Sequence, residues 1–279
     1  MRRVLVLTMV LAFGMMMSSA AFAGNIVLTG HDDDFHYNFG PGTGNTGDAG
    51  VQLAAMVSFA QNGSTLPVLV FDQGTELTTA LTGLGIAFTN VSTVAGVNAG
   101  LFNNATYSAF IVASDTTCSG CDNTVPFEAA IAAQSAAITT FFNAGGGIVG
   151  LAGAQNAATY YSFVPTSASG FGNPPPTGYV QTAFGAGLGI TAVNGDATHN
   201  FFPDPGTLGV SAAYGVVETL GAGGTAETIA CKGCGITTTG ITTGTVPEPS
   251  SLLLLGFGMI GMITVRRYTK KPQNHSCAA

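Results

Sequence analysis

The chain has 279 residues, a formal net charge of −7 and 46% hydrophobic residues, which is enough for one domain with a substantial core. The charge is unevenly spread: residues 24–245 hold one basic residue, Lys232, against thirteen acids. Nucleic-acid binding is thereby excluded, because neutralising phosphates takes Lys and Arg, and a divalent cation is the natural counter-charge for such a body.

Residues 1–23 begin with Arg2 and Arg3, continue as the apolar run VLVLTMVLAFGMMM and end in SSAAFA. This order of charge, apolar core and small residues predicts a secretory signal peptide cleaved after Ala23, the alternative being an uncleaved anchor. NIVLTG at 25–30 then reads as a strand. Residues 48–63 carry Val51, Ala54, Ala55 and Phe59 near helical spacing and stop at Asn-Gly, which predicts a helix. Strands follow at 66–72, 86–91, 107–115 and 147–152, with helices at 74–85 and 125–147. Pro126 suits the first turn of the last helix, and glycines end it. Apolar strands alternating with helices predict an α/β fold, a doubly wound, mostly parallel sheet of flavodoxin-like architecture covered on both faces. The pattern is lost over about 160–212, a Gly- and Pro-rich insertion longer than an ordinary connection. YGVVETL at 214–220 and AETIACKG at 226–233 return as late strands. The α/β domain is thus expected to span 24–234, with a Thr/Gly spacer at 235–245.

Cys118 and Cys121 form CSGC, and Cys231 and Cys234 form CKGC. Export favours disulfides over thiols, and spacing leaves the pairing open. A four-thiolate zinc site or a redox pair are the alternatives.

Residues 246–271 contain Pro247, Glu248 and Pro249, then an apolar stretch at 251–265 and Arg266, Arg267, Lys270 and Lys271. At about 1.5 Å per residue the stretch makes a transmembrane helix of roughly 22 Å, with its basic flank in the cytoplasm. The tripeptide, helix and Arg-Arg cluster resemble the PEP-CTERM sorting signal. That resemblance implies a Gram-negative source, inner-membrane anchoring, processing by an exosortase-type protease and delivery to the cell surface or extracellular matrix. The tail at 272–279 is longer than the family pattern.

A second resemblance rests on FFNAGGGIVGLAGAQNAATYY (141–161) and IVLTGHDDDFH (26–36), which are similar to segments of the ThuA-like branch of the class I glutamine-amidotransferase-like fold. True amidotransferases of that fold carry a cysteine in a G-x-C-x-G elbow and a later His-x-Glu. Here the elbow reads Gly150, Leu151, Ala152, Gly153, Ala154, and Phe201 stands where the glutamate after His199 would be. A methyl group cannot attack a carbonyl, so no catalytic residue is expected at Ala152 and glutamine hydrolysis is not expected.

Ligands of open α/β sheets bind at the carboxyl ends of the strands, which is where HDDDFH follows the first strand. His31, Asp32, Asp33, Asp34 and His36 are therefore ligand-binding candidates, with His199 from the insertion. His31, Asp33 and His36 are the expected ligands of a divalent cation; capping and solvation of the rim is the plainer alternative. Asp196 and Asp204 flank His199, while Asp115 and Asp122 lie near the first cysteine pair. The leading expectation is a non-catalytic surface protein that binds or builds the envelope or exopolysaccharide matrix. The alternative is an exported carbohydrate-active or metal-dependent enzyme using the His31 to His36 rim.

Overall fold

The structure is a computed structural model that describes residues 24–40, 43–115, 123–154, 156–164, 167–195, 199–237 and 240–243, all within the unit Ala21–Gly244. The signal peptide, Cys118, Cys121, Asp122, Asp196 and the sorting signal lie outside the described residues.

Strand β1 (Gly24–Thr29) begins where the expected signal peptide ends and is buried along its whole length. Its residues divide between two apolar layers, as the alternation of a strand requires. Ile26 and Leu28 join Phe71, Phe110, Phe141 and Ile148 on one face, and Val27 joins Leu53, Val57, Val70 and Val149 on the other. At about 1.5–3 kcal/mol for each fully buried side chain of this size, both faces favour the sheet.

The parallel part of the sheet runs β3 (Phe88–Val91), β2 (Val68–Phe71), β4 (Ala109–Val112), β5 (Gly147–Gly150), β1. Without β1 this is the flavodoxin-type sequence of neighbours; β1 occupies the far edge beside β5. Beyond it the sheet turns antiparallel through β8 (Ala226–Thr237), β7 (Gly215–Leu220) and β6 (Tyr179–Gln181), and β9 (Gly240–Thr243) pairs with β8. The 160–212 insertion thus supplies an edge strand, and the Thr/Gly segment expected as a spacer contributes the end of β8 and all of β9.

Helices α1 (Asp33–Asn38), α2 (Asp48–Gln61) and α3 (Glu76–Gly83) follow β1 and β2, with α2 and α3 packed on the Val27 face. Helix α2 ends as expected, with Asn62 at φ 49° in the left-handed region and Gly63 after it. The single helix expected over 125–147 is two, α4 (Val125–Ala132) and α5 (Ser135–Asn143), bent by 60°. Phe127 and Ile131 of α4 and Ile138, Phe141 and Phe142 of α5 all enter the same apolar layer. Their helical spacing runs unbroken through the bend, so the pattern carries no sign of it. Short helices α6 (Ala157–Tyr160) and α7 (Ala183–Leu188) are the remaining α-helices among the described residues. Among the described residues no single helix is long and apolar enough to cross a membrane; the helix expected at 251–265 lies outside them.

Cys231 and Cys234 form a disulfide inside β8. The ring closes around Gly233, whose φ of 61° suits glycine and whose N–H donates to Asn25 Oδ1 at 2.9 Å. The second pair therefore links locally, which removes two thiolates from the four-sulfur zinc alternative.

Candidate functional site

Thr29 ends β1, and Gly30 lets the chain pass close under another segment: a Cβ there would run into Asn200 O and Glu227 Oε1. His31 follows, fully buried. Its Nε2 lies 2.7 Å from Glu218 Oε1, and its ring meets Tyr179 edge-on at 5.2 Å. Glu218 comes from the middle of β7. It also accepts from Gln52 Nε2 at 3.0 Å, from Thr228 Oγ1 at 2.5 Å and from the Val193 N–H at 3.0 Å. Burial alone would lower the His31 pKa, but the Glu218 carboxylate outweighs it and pushes the imidazole up to about 10. Burial would likewise raise Glu218, yet His31 and the hydrogen bonds hold it below its ordinary value. The two form a buried ion pair with both carboxylate oxygens engaged.

Around this pair the acids differ sharply. Asp34 accepts from Ser114 N at 2.9 Å and Ser114 Oγ at 2.7 Å, and burial still pushes it up to about 7. Asp33 and Glu227 are fully buried, and among the described residues no oxygen of either carboxyl has a hydrogen-bond partner. Burial lifts both well above the usual carboxylate range.

Asp32 stands just before α1 and His36 one turn later, so the i, i+4 spacing puts them on one face. Asp32 Oδ1 lies 3.4 Å from His36 Nε2, and Asp32 Oδ2 lies 2.8 Å from His199 Nε2. The side chains of Asp32 and His36 are 2% and 8% exposed, and that of His199 is 27% exposed. His199 arrives from the insertion because its N–H donates to Gly30 O at 2.7 Å. Burial would lower its pKa, but the adjoining Asp32 carboxylate outweighs that and raises it. One donor atom from each of the three lies within 4.8 Å of the others. Of the expected metal ligands, then, only His36 belongs to the converging set. His31 is turned to Glu218 and Asp33 is buried apart, while Asp32 and His199 complete the group.

At the strand-to-helix turn Ala152 is fully buried. It lacks the left-handed backbone of a strained elbow, since the described non-glycine residues with positive φ are Asn62 and Leu208. In acyl-transfer enzymes of this architecture the N–H after the nucleophile helps to hold the oxyanion. The corresponding Gly153 N–H donates to Asn200 Oδ1 at 2.9 Å. The turn is therefore occupied by internal hydrogen bonding. Asp115 Oδ2 accepts from Asn156 N at 2.9 Å. Asp204 helps line a groove of about 490 Å³ with Phe171, Phe202 and Leu208, whose lining includes none of the converging donors.

Glu218 and Glu227 escaped attention in the sequence, although each is a lone acid in an apolar late strand. A carboxyl in such a run has to be buried, and buried acids are rare unless paired; that signal fits Glu218, which His31 pairs, whereas the Glu227 carboxyl is buried without a hydrogen-bond partner among the described residues.

A family model described as the PEP-CTERM protein-sorting motif matches residues 245–267. The match spans Pro247, Glu248, Pro249, Arg266 and Arg267. Comparisons with curated proteins and with solved structures find no match. The motif marks an exported protein, processed by an exosortase, a membrane protease, and sorted through the membrane to the cell surface.

Proposed function

We propose that the exported domain is a non-catalytic binding component of the envelope or exopolysaccharide matrix of a Gram-negative bacterium, with the rim at the carboxyl ends of β1, β4 and β5 as its binding site. The observation that carries this reading is the contrast along one rim. The turn where true amidotransferases of the suggested fold place their cysteine holds Ala152, with its neighbouring N–H already engaged by Asn200. On the same rim Asp32, His36 and His199 present converging donors instead. Selective polar groups without an attacking nucleophile suit recognition, and fold-level likeness adds only a weak prior on activity.

Before processing, the chain is held at the inner membrane by the apolar stretch at 251–265. The test has two parts. Deleting 246–271 should release the protein from the cell surface into the medium or leave it unprocessed. The full chain incubated with isolated exopolysaccharide should sediment with it, and His199→Ala should weaken that association. Equal sedimentation of the wild type and a chain altered at all three rim donors would overturn the rim as the binding site.

A further inference from the structure

We infer that Asp32, His36 and His199 hold a divalent first-row transition metal ion of the zinc class. This deepens the reading of the rim as a binding site and rests on it. The donors are chemically matched to such an ion: two imidazoles and one carboxylate suit zinc or iron, whereas Ca²⁺ seeks six to eight oxygens. Ligands about 2.0–2.1 Å from a tetrahedral zinc stand about 3.3 Å from one another. Asp32 Oδ1 stands 3.4 Å from His36 Nε2, at that spacing, while Asp32 Oδ2 and His199 Nε2, 2.8 Å apart, would separate slightly to admit the ion.

A second observation points to an ion independently of the cluster. Asp32 Oδ1, which faces His36 Nε2, and His199 Nε2, which faces Asp32 Oδ2, have no well-directed hydrogen-bond partner among the described residues, and Asp32 is 1% exposed. Leaving a buried polar atom unpaired costs about 1–3 kcal/mol, so the native fold is expected to give it a partner. A cation between the three side chains satisfies them together.

The frame is also held rigid without the ion, as a binding site requires. His199 is fixed through its own N–H to Gly30 O. The next residue, Asn200, accepts from Gly153 N at 2.9 Å and lies 3.0 Å from the Tyr161 hydroxyl. Phe201 exchanges backbone hydrogen bonds with Phe171, and Phe202 N–H donates to Ala226 O. Asp32 and His36 are joined by the first turn of α1, where Asp32 O accepts from the His36 N–H at 3.1 Å. Asp32 and His36 are buried and His199 is partly exposed, so solvent reaches the group from the His199 side. An exogenous oxygen donor can bind there.

The full chain, stripped with a chelator, is titrated with Zn²⁺ against a chromophoric competitor. One equivalent is expected, with His199→Ala and Asp32→Asn each lowering affinity at least tenfold. Asp204→Asn, outside the converging set, should change nothing. His199 is partly exposed, so its substitution does not threaten folding, which circular dichroism checks. No uptake overturns the inference. So does uptake that His199→Ala leaves intact and thiol alkylation abolishes, because the ion then sits on cysteines. Polysaccharide binding that depends on His199 without any zinc uptake removes the metal alone. Zinc uptake without polysaccharide binding removes the matrix partner alone.

Discussion

Glu218→Ala offers the sharpest test of how the rim is supported. The substitution removes the acceptor of four donors, His31 Nε2, Gln52 Nε2, Thr228 Oγ1 and Val193 N, and leaves the His31 imidazole buried without its counter-charge. Breaking one partner of a buried ion pair costs about 3–5 kcal/mol. That is a large part of the roughly 5–15 kcal/mol that stabilises a domain. With a urea m-value of about 2–3 kcal/mol per molar, the unfolding midpoint should fall by about 1–2.5 M. The assay is urea denaturation at pH 7 followed by circular dichroism, on wild type, Glu218→Ala, His31→Gln, Glu218→Gln and the double Gln variant. Two groups in direct contact should couple by at least about 1 kcal/mol, so the double variant should lose less than the sum of the singles. A Glu218→Ala loss under about 1 kcal/mol, or strict additivity in the cycle, would refute the ion pair as the support of the β1 terminus.

Gly30→Ala should destabilise by at least about 1–3 kcal/mol, because its Cβ meets the backbone of Asn200; a melting temperature indistinguishable from wild type would show that the 199–200 segment yields freely. Glu128 is buried, and burial together with Asp115 pushes it up to about 8. The folded state therefore binds more protons than the unfolded state between about pH 4.5 and 8, and stability falls as pH rises through that window. One such group contributes a slope of at most about 1.4 kcal/mol per pH step of one, so Glu128→Gln should flatten the profile by up to that amount. An identical slope in both proteins would contradict the assignment. Peptide mapping without reduction should recover Cys231 linked to Cys234. Substituting Cys231 by Ser should cost no more than about 2 kcal/mol, since so short a ring constrains little of the unfolded chain.

Much of this was readable in the residues. The apolar runs at 25–30, 66–72 and 107–115 have no polar face, which only a sheet covered on both sides explains, and Asn62-Gly63 ended α2 where its left-handed geometry required. The place of β1 beside β5 was not readable, since neighbours in a sheet depend on where crossovers pack. The bend between α4 and α5 left the apolar period intact. At the rim, the four-residue spacing of Asp32 and His36 was visible in HDDDFH, but five candidate donors in six residues could not be sorted by type. His31, two residues past the end of β1, turns to Glu218 of β7, whereas α1 starts at Asp33 and turns His36 back toward Asp32. His199 joins them from far along the chain, its N–H donating to Gly30 O, and no local pattern encodes that approach.

Crystals of the full chain grown with Zn²⁺, with anomalous scattering recorded on both sides of the zinc edge, test the central claim most directly. One peak within about 2.0–2.2 Å of Asp32, His36 and His199 is the predicted outcome. Density at the cysteines or at His31, or an empty space between the three donors at saturating zinc, would contradict it.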